Sequence, residues 1–228
     1  MAEKDQIIRV HFFEFNGWRQ RWWAFQQMGL ALPHLAKGKG LEFVKLLGSG
    51  DGNGFGVLPN WGVYGLLHVW TNEQVMRTYE QDNQRFAAFK RRSSSWRSLT
   101  LRCAKAHGTW DGTEPFRETI AYDQTAPVAV VTRARIYLRH VWRFWQFVRP
   151  VSADVEQRPG LQFSIGVGEL PIVQLMTFSI WDNSLAMMNY AYQREDHRNI
   201  IRRTRENGWY KEELFARFHI VDQTGEWT

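Results

Sequence analysis

The chain is predicted to be an α+β protein made of two tandem β-α-β-β-α-β units, the ferredoxin-like split βαβ order, whose sheets can pair into one barrel with helices outside. Two observations predict this. First, rare residues recur at fixed offsets across the 228 residues: Trp70, Asn72 and Tyr79 fall on Trp181, Asn183 and Tyr190, and Arg91-Arg92 on Arg202-Arg203. At a slightly larger offset Arg19, Trp22 and Phe25 fall on Arg139, Trp142 and Trp145, and Gly40-Leu41-Glu42-Phe43 on Gly160-Leu161-Gln162-Phe163. Second, the apolar spacing alternates between strand and helix periods in the same order in both halves.

Each element has a local reason. Ile7 to Phe15 is rich in β-formers, and Trp18 to Leu35 reads as a helix with a broad aromatic face. Leu41 to Leu47 and Trp61 to Trp70 form a hairpin around the glycine-rich run Gly48–Gly56. Asn72 caps a helix expected to run unbroken to about Ser94, and Trp96 to Ala104 closes the unit. The second half repeats this with Val128 to Ile136, a helix to about Ala153, Gln162 to Val167, Ile172 to Trp181, an Asn183-capped helix to Asn207, and Tyr210 to His219. The offset falls because the tight turn Gly168-Glu169-Leu170-Pro171 replaces the long glycine loop. The expected units are 1–120 and 121–228, the second carrying the candidate metal ligand.

Composition narrows the function classes. Apolar residues make up 44% and aromatics 15%, with 12 Trp, which supports a sizeable core. One cysteine, Cys103, excludes an intrachain disulfide and any cysteine-based metal cage. The start MAEKDQIIRV lacks a signal-peptide core, and no apolar run is long enough to span a bilayer, so a cytoplasmic protein is expected. The net charge of +6 is moderate and its arginines recur at helical spacing. That fits a solvated face, or peripheral contact with anionic headgroups at the inner face of a membrane, better than nucleic acid. The glycine loop lacks the Lys-Ser/Thr of a phosphate-binding loop, and no Gly-x-Ser-x-Gly occurs.

His197 is the main candidate for chemistry. Met187, Tyr190, Ala191, Arg194, His197 and Ile201 fall on adjoining helical rows, so His197 faces mostly with Tyr190 and Ile201, toward the sheet. In the repeat it lies opposite Phe86, an inert ring. A helix histidine of this kind is either a core residue satisfied by a polar neighbour or a metal ligand, and one asymmetric imidazole in a pseudo-symmetric shell suits a haem iron. His68 lies on a strand opposite Ser179, and either lines a cavity or sits at an edge. Arg133 and Arg135 fall opposite Phe13 and Phe15, and Lys45 opposite Ile165. Such strand charges face solvent or an anion within the barrel. No other histidines form a metal-binding spacing.

Longer motifs carry a resemblance. Phe12-Phe13-x-Phe15, Arg21-Trp22-Trp23-Ala24-Phe25-Gln26-Gln27-Met28-Gly29, Lys45-Leu46-Leu47-Gly48-Ser49-Gly50 and Pro59-Asn60-Trp61 resemble the spheroidene monooxygenase family. So do Val131-Thr132-Arg133-Ala134-Arg135-Ile136, Ile165-Gly166-Val167-Gly168-Glu169, Phe178-Ser179-Ile180-Trp181, and His197 followed by Trp209-Tyr210-x-Glu212. The similarity is collinear over nearly the whole chain. It implies an intrachain dimeric α+β barrel and a haem b enzyme that uses dioxygen and an external reductase or ferredoxin to put a keto group on an acyclic carotenoid. By that resemblance His197 is the iron ligand, with Tyr190, Ile201 and Arg133 around the haem and Arg133, Lys45 or His68 steering oxygen. Two alternatives stay open: another haem enzyme on the same barrel (peroxidase, chlorite-dismutase-like or aldoxime-dehydratase-like), and a non-enzymatic haem- or lipophile-binding protein.

Overall fold

The computed structural model describes residues 5–52, 54, 56, 58–152, 158–170, 172–193 and 207–227, with backbone alone at 147–152 and 191–193. The first half runs β1 (Ile7–Glu14), α1 (Trp18–Leu30), α2 (Leu32–Leu35), β2 (Leu41–Gly50), β3 (Pro59–Trp70), α3 (Glu73–Asp82), α4 (Gln84–Arg92) and β4 (Ser95–Gly108). The second runs β5 (Val128–Ile136), a 3-10 turn at Leu138–His140, α5 (Val141–Ser152), β6 (Leu161–Leu170), β7 (Gln174–Trp181), α6 (Ser184–Gln193) and β8 (Tyr210–Glu226). The strands close a barrel in the order β1-β3-β2-β6-β7-β5-β8-β4. Within it, β4-β1-β3-β2 and β8-β5-β7-β6 are two copies of one antiparallel sheet, as the repeat predicts.

The copies meet at two unequal seams. β4 pairs with β8 from Trp96–Glu226 to Gly108–Leu214, whereas β2 pairs with β6 only at Gly48–Gly168 and Ser49–Val167. Ile8, Val10 and Phe12 of β1 and Ala129 and Val131 of β5 point into the barrel, and alternate residues point out toward the helices. β1 is covered on both faces, so seven of its eight residues are buried, Arg9 and His11 among them. Trp110, just after β4, lies against Phe43, and Trp227, just after β8, against Phe163. These paired tryptophans pack against opposite ends of the barrel core.

Two details differ from the sequence reading, and a third settles a direction it left open. Ile7 pairs with Trp70 and Val128 with Trp181, so β1 and β5 correspond at an offset one residue larger than the helices, and Arg133 stands opposite Phe12, not Phe13. The helix expected from Asn72 to Ser94 breaks at Asn83. There the backbone is extended, and the side chain caps α4 by accepting from Phe86 N at 2.9 Å. Finally, α1 turns Ala24 and Gln27 to the sheet and its aromatic stripe outward.

Cys103 is fully buried, and burial, with Glu118 second, pushes its thiol up to about 12. The folded protein is therefore expected to react with a thiol reagent at neutral pH at least about a hundredfold more slowly than the unfolded chain. Equal labelling rates in buffer and in denaturant would contradict that burial.

Candidate cofactor-binding face

The outer faces of the two sheets are built from the same register with different side chains. In the first half, His11, Leu66 and Leu46 lie side by side across β1, β3 and β2. The adjacent rows supply His68 and Phe13. Phe86 of α4 covers this floor, its ring 4.7 Å from that of His11, and Tyr79 of α3 packs on His68 at 5.2 Å. One continuous buried cluster results, running from Ile7 to Phe89.

The second half substitutes small residues at those places. The row equivalent to His11–Leu66–Leu46 is Thr132–Thr177–Gly166. Ala134 replaces Phe13, Ser179 replaces His68, and Ser164 replaces Val44. Among the described residues the core on this face forms two clusters, not one. Val128, Val130, Trp181 and Met187 cluster at one end, and Ile136, Phe144, Trp145 and Trp209 at the other. Between them Thr132 is exposed, where His11 is fully buried. Thr132 thus stands uncovered where the first half is filled by a ring, and this low floor is the gap that distinguishes the second sheet.

Polar groups edge the gap. Ser179 Oγ accepts from Trp181 Nε1 at 2.9 Å, and Ser164 Oγ, buried, has no partner among the described residues. Arg217 pairs with Val130 across β8 and β5, on the same face. Its Nε is likewise buried without a partner, while its guanidinium lies over the Tyr122 and Phe215 rings at 5.4 and 5.3 Å.

Lys45 and Arg133 are brought together, but inside the barrel. Lys45 Nζ donates to Glu169 at 2.8 Å and to Asp111; Arg133 Nη1 donates to Glu212, with Asp111 and Glu169 at 3.5 and 3.7 Å. Both cations lie over the Trp110 ring, whose Nε1 donates to Glu169 at 2.5 Å. Arg133 is 1% exposed, on the sheet face opposite to Thr132. The anion these cations face is thus the chain's own carboxylates. Burial alone would raise Glu212, but the Gly112 N–H, Arg133 and Thr109 outweigh it and hold its carboxyl down at about 2.

His68 sits apart from both places, on the outer face of the first sheet. It is fully buried among Trp70, Tyr79 and His11, neither ring nitrogen has a partner among the described residues, and burial lowers it to about 3. It is a neutral core ring. Tyr190 lies on α6 with its ring 5.2 Å from Trp181. His197 and Ile201 lie outside the described residues. Among those described, no three His, Cys, Asp or Glu side chains are grouped so as to hold a metal ion.

Two curated relatives match almost the whole of this chain. Spheroidene monooxygenase of Cereibacter sphaeroides is 34% identical over 226 residues, covering 97% of this chain and 69% of its own. That of Rhodobacter capsulatus is 32% identical, covering 97% and 92%. The chain belongs to the spheroidene monooxygenase family. As a member of that family it is an oxidoreductase. No protein-family model matches it. Two solved aldoxime dehydratase structures share the fold: one superposes with TM-score 0.66 at 12% identity over 97% of this chain and 84% of that one. The other, OxdRE in complex with butyraldoxime, gives 0.63 at 12%.

In this spheroidene monooxygenase relative, sequence reasoning missed the small floor and the carboxylates of the barrel cluster. Thr132, Ala134, Gly166, Ser179, Glu169 and Glu212 all stand within the family-like motifs. The available signal was the repeat itself, compared strand by strand for loss of side-chain volume.

Proposed function

We propose that the chain is a carotenoid monooxygenase that inserts a keto group into an acyclic carotenoid or a similarly apolar polyene, using dioxygen and electrons from a separate reductase or ferredoxin. The single observation behind this, beside the family, is the gap on the outer face of the second sheet. Its filled counterpart in the first half gives it a reference: the same register, with rings removed from one copy. A flat ring system suits a floor kept low by threonine, serine and glycine, so we assign the gap to haem b.

In this reading His197, which the sequence repeat aligns with Phe86, is the iron ligand, with Tyr190 and Ile201 beside it by sequence spacing. Among the described residues, Arg217 is a cation on this face that could pair with a haem carboxylate. Haem supplies the oxygen-activating chemistry that no side chain supplies alone. The chain's own part is to bind and orient. Thr132 and Thr177 keep the floor low, Ser164 and Ser179 offer hydroxyls at its edge, and the clusters at either end exclude water. Lys45 and Arg133, tied to Glu169, Asp111 and Glu212, brace the barrel beneath this floor.

The purified protein, expressed with adequate haem supply, is expected to show a Soret band with one haem per chain, and to convert lycopene- or spheroidene-type carotenoids in a producing host. A protein without haem under those conditions refutes the cofactor assignment. Thr132→Phe restores bulk where the first half carries His11. Because Thr132 is exposed, stability should stay within about 0.5 kcal/mol of the parent, while haem content falls at least about tenfold. Normal haem content in this variant would place the group elsewhere.

A further inference from the structure

α1 is amphipathic in the reverse sense. Trp18, Trp22 and Phe25 recur at spacings of four and three and form a stripe on its solvent side, while Ala24 and Gln27 face the sheet. Trp18 is 74% exposed, and Trp22, Phe25 and Trp61 each nearly half exposed. Trp61, near the start of β3, extends the stripe, stacked on Phe25 at 4.8 Å and 6.5 Å from Trp22. Gly17, Trp18, Arg21, Trp22 and Trp61 line an open cleft of about 630 Å³. An exposed aromatic patch of this kind marks an interaction surface.

The surrounding charge selects the partner. From Phe15 to Leu41 there is no Asp or Glu, and Arg19, Arg21, Lys37 and Lys39 supply four cations. Arg19 lies over the Trp18 ring at 5.4 Å. Tryptophan is the side chain that best occupies the boundary between headgroups and acyl chains, and each nearby cation adds attraction to anionic lipid. A protein partner of ordinary composition would call for some acidic residues here, and a bilayer does not. We propose that the outward face of α1, with Trp61, docks on an anionic phospholipid bilayer, the tryptophans entering the headgroup boundary and the cleft receiving acyl chain.

Vesicle co-sedimentation tests this without turnover or haem. Wild type is expected to bind phosphatidylcholine vesicles containing about one-third phosphatidylglycerol, and to bind pure phosphatidylcholine at least roughly tenfold more weakly. Trp18→Ser/Trp22→Ser/Trp61→Ser should lower binding to the anionic vesicles at least about tenfold, and Arg19→Gln roughly fivefold. All four positions are solvent-facing, so circular dichroism should show folded variants. Thr132→Phe should bind vesicles like wild type, which separates this surface from the cofactor face. The proposal is overturned if wild type ignores anionic vesicles or if the triple variant binds them normally. It is equally overturned if the patch is buried in a dimer that the triple variant dissociates.

Discussion

Under the proposed haem assignment, His197→Ala is expected to lower haem affinity at least about a hundredfold, since losing even an outer-sphere partner of a ligand costs ten- to a hundredfold. The Soret band and carotenoid turnover should disappear together. The repeat carries the reasoning. Phe86 covers the first floor, and in the sequence repeat His197 stands at its position in the second half. Circular dichroism and the thermal midpoint should change little, because the two end clusters of the second sheet pack without the ligand. His219→Ala is the control. His219 Nε2 accepts from Asp123 N at 2.9 Å, well removed from Thr132 along the ladder, so its loss should leave the spectrum unaltered. A His197→Ala protein with a normal Soret band and normal turnover would remove the ligand assignment.

Arg133→Met should produce the largest stability loss, about 3 kcal/mol by urea unfolding, because it strands Glu212 beside two further carboxylates at the barrel end. Arg133→Met/Glu212→Gln should recover part of that loss, since the second change removes the stranded charge. If the single variant unfolds at the parental urea concentration, the cluster does not brace the barrel. The sign of the pH dependence follows from Glu212. Its carboxyl is held down at about 2 against an ordinary 4.5, so its contribution is present above 4.5 and is lost as pH falls toward 2. His68, lowered to about 3 from 6.5, acts in the same direction: unfolding releases a base that takes up a proton, and stability declines from about 6.5 downward.

The duplication was legible because tryptophan is rare and its spacing survives sequence change. What escaped was a matter of single residues. The turn between β1 and α1 differs by one residue from its counterpart after β5, and in a strand one residue exchanges the faces. Arg133 was therefore matched with outward Phe13 when its counterpart is inward Phe12. Asn83 breaks a helix through its own side chain, which an apolar pattern does not register. Periodicity gave α1 its stripe but not the side it faces, because both sheet and bilayer reward the same spacing. The low floor needs three strands in register at once. No single segment contains it, and Thr132 or Gly166 alone signals nothing.

The two seams of the barrel give the molecule a spine and a clasp. The β4–β8 ladder holds the halves along a full edge, while the opposite edge closes on Gly48–Gly168, Ser49–Val167 and the Lys45–Glu169 ion pair that spans it. The clasp holds two backbone pairings where the spine holds twelve, so separating the halves breaks fewest of them there. β6 contributes to both the clasp and, through Gly166, the low floor. A load placed on that floor is therefore carried by the strand whose outer edge is the least firmly held.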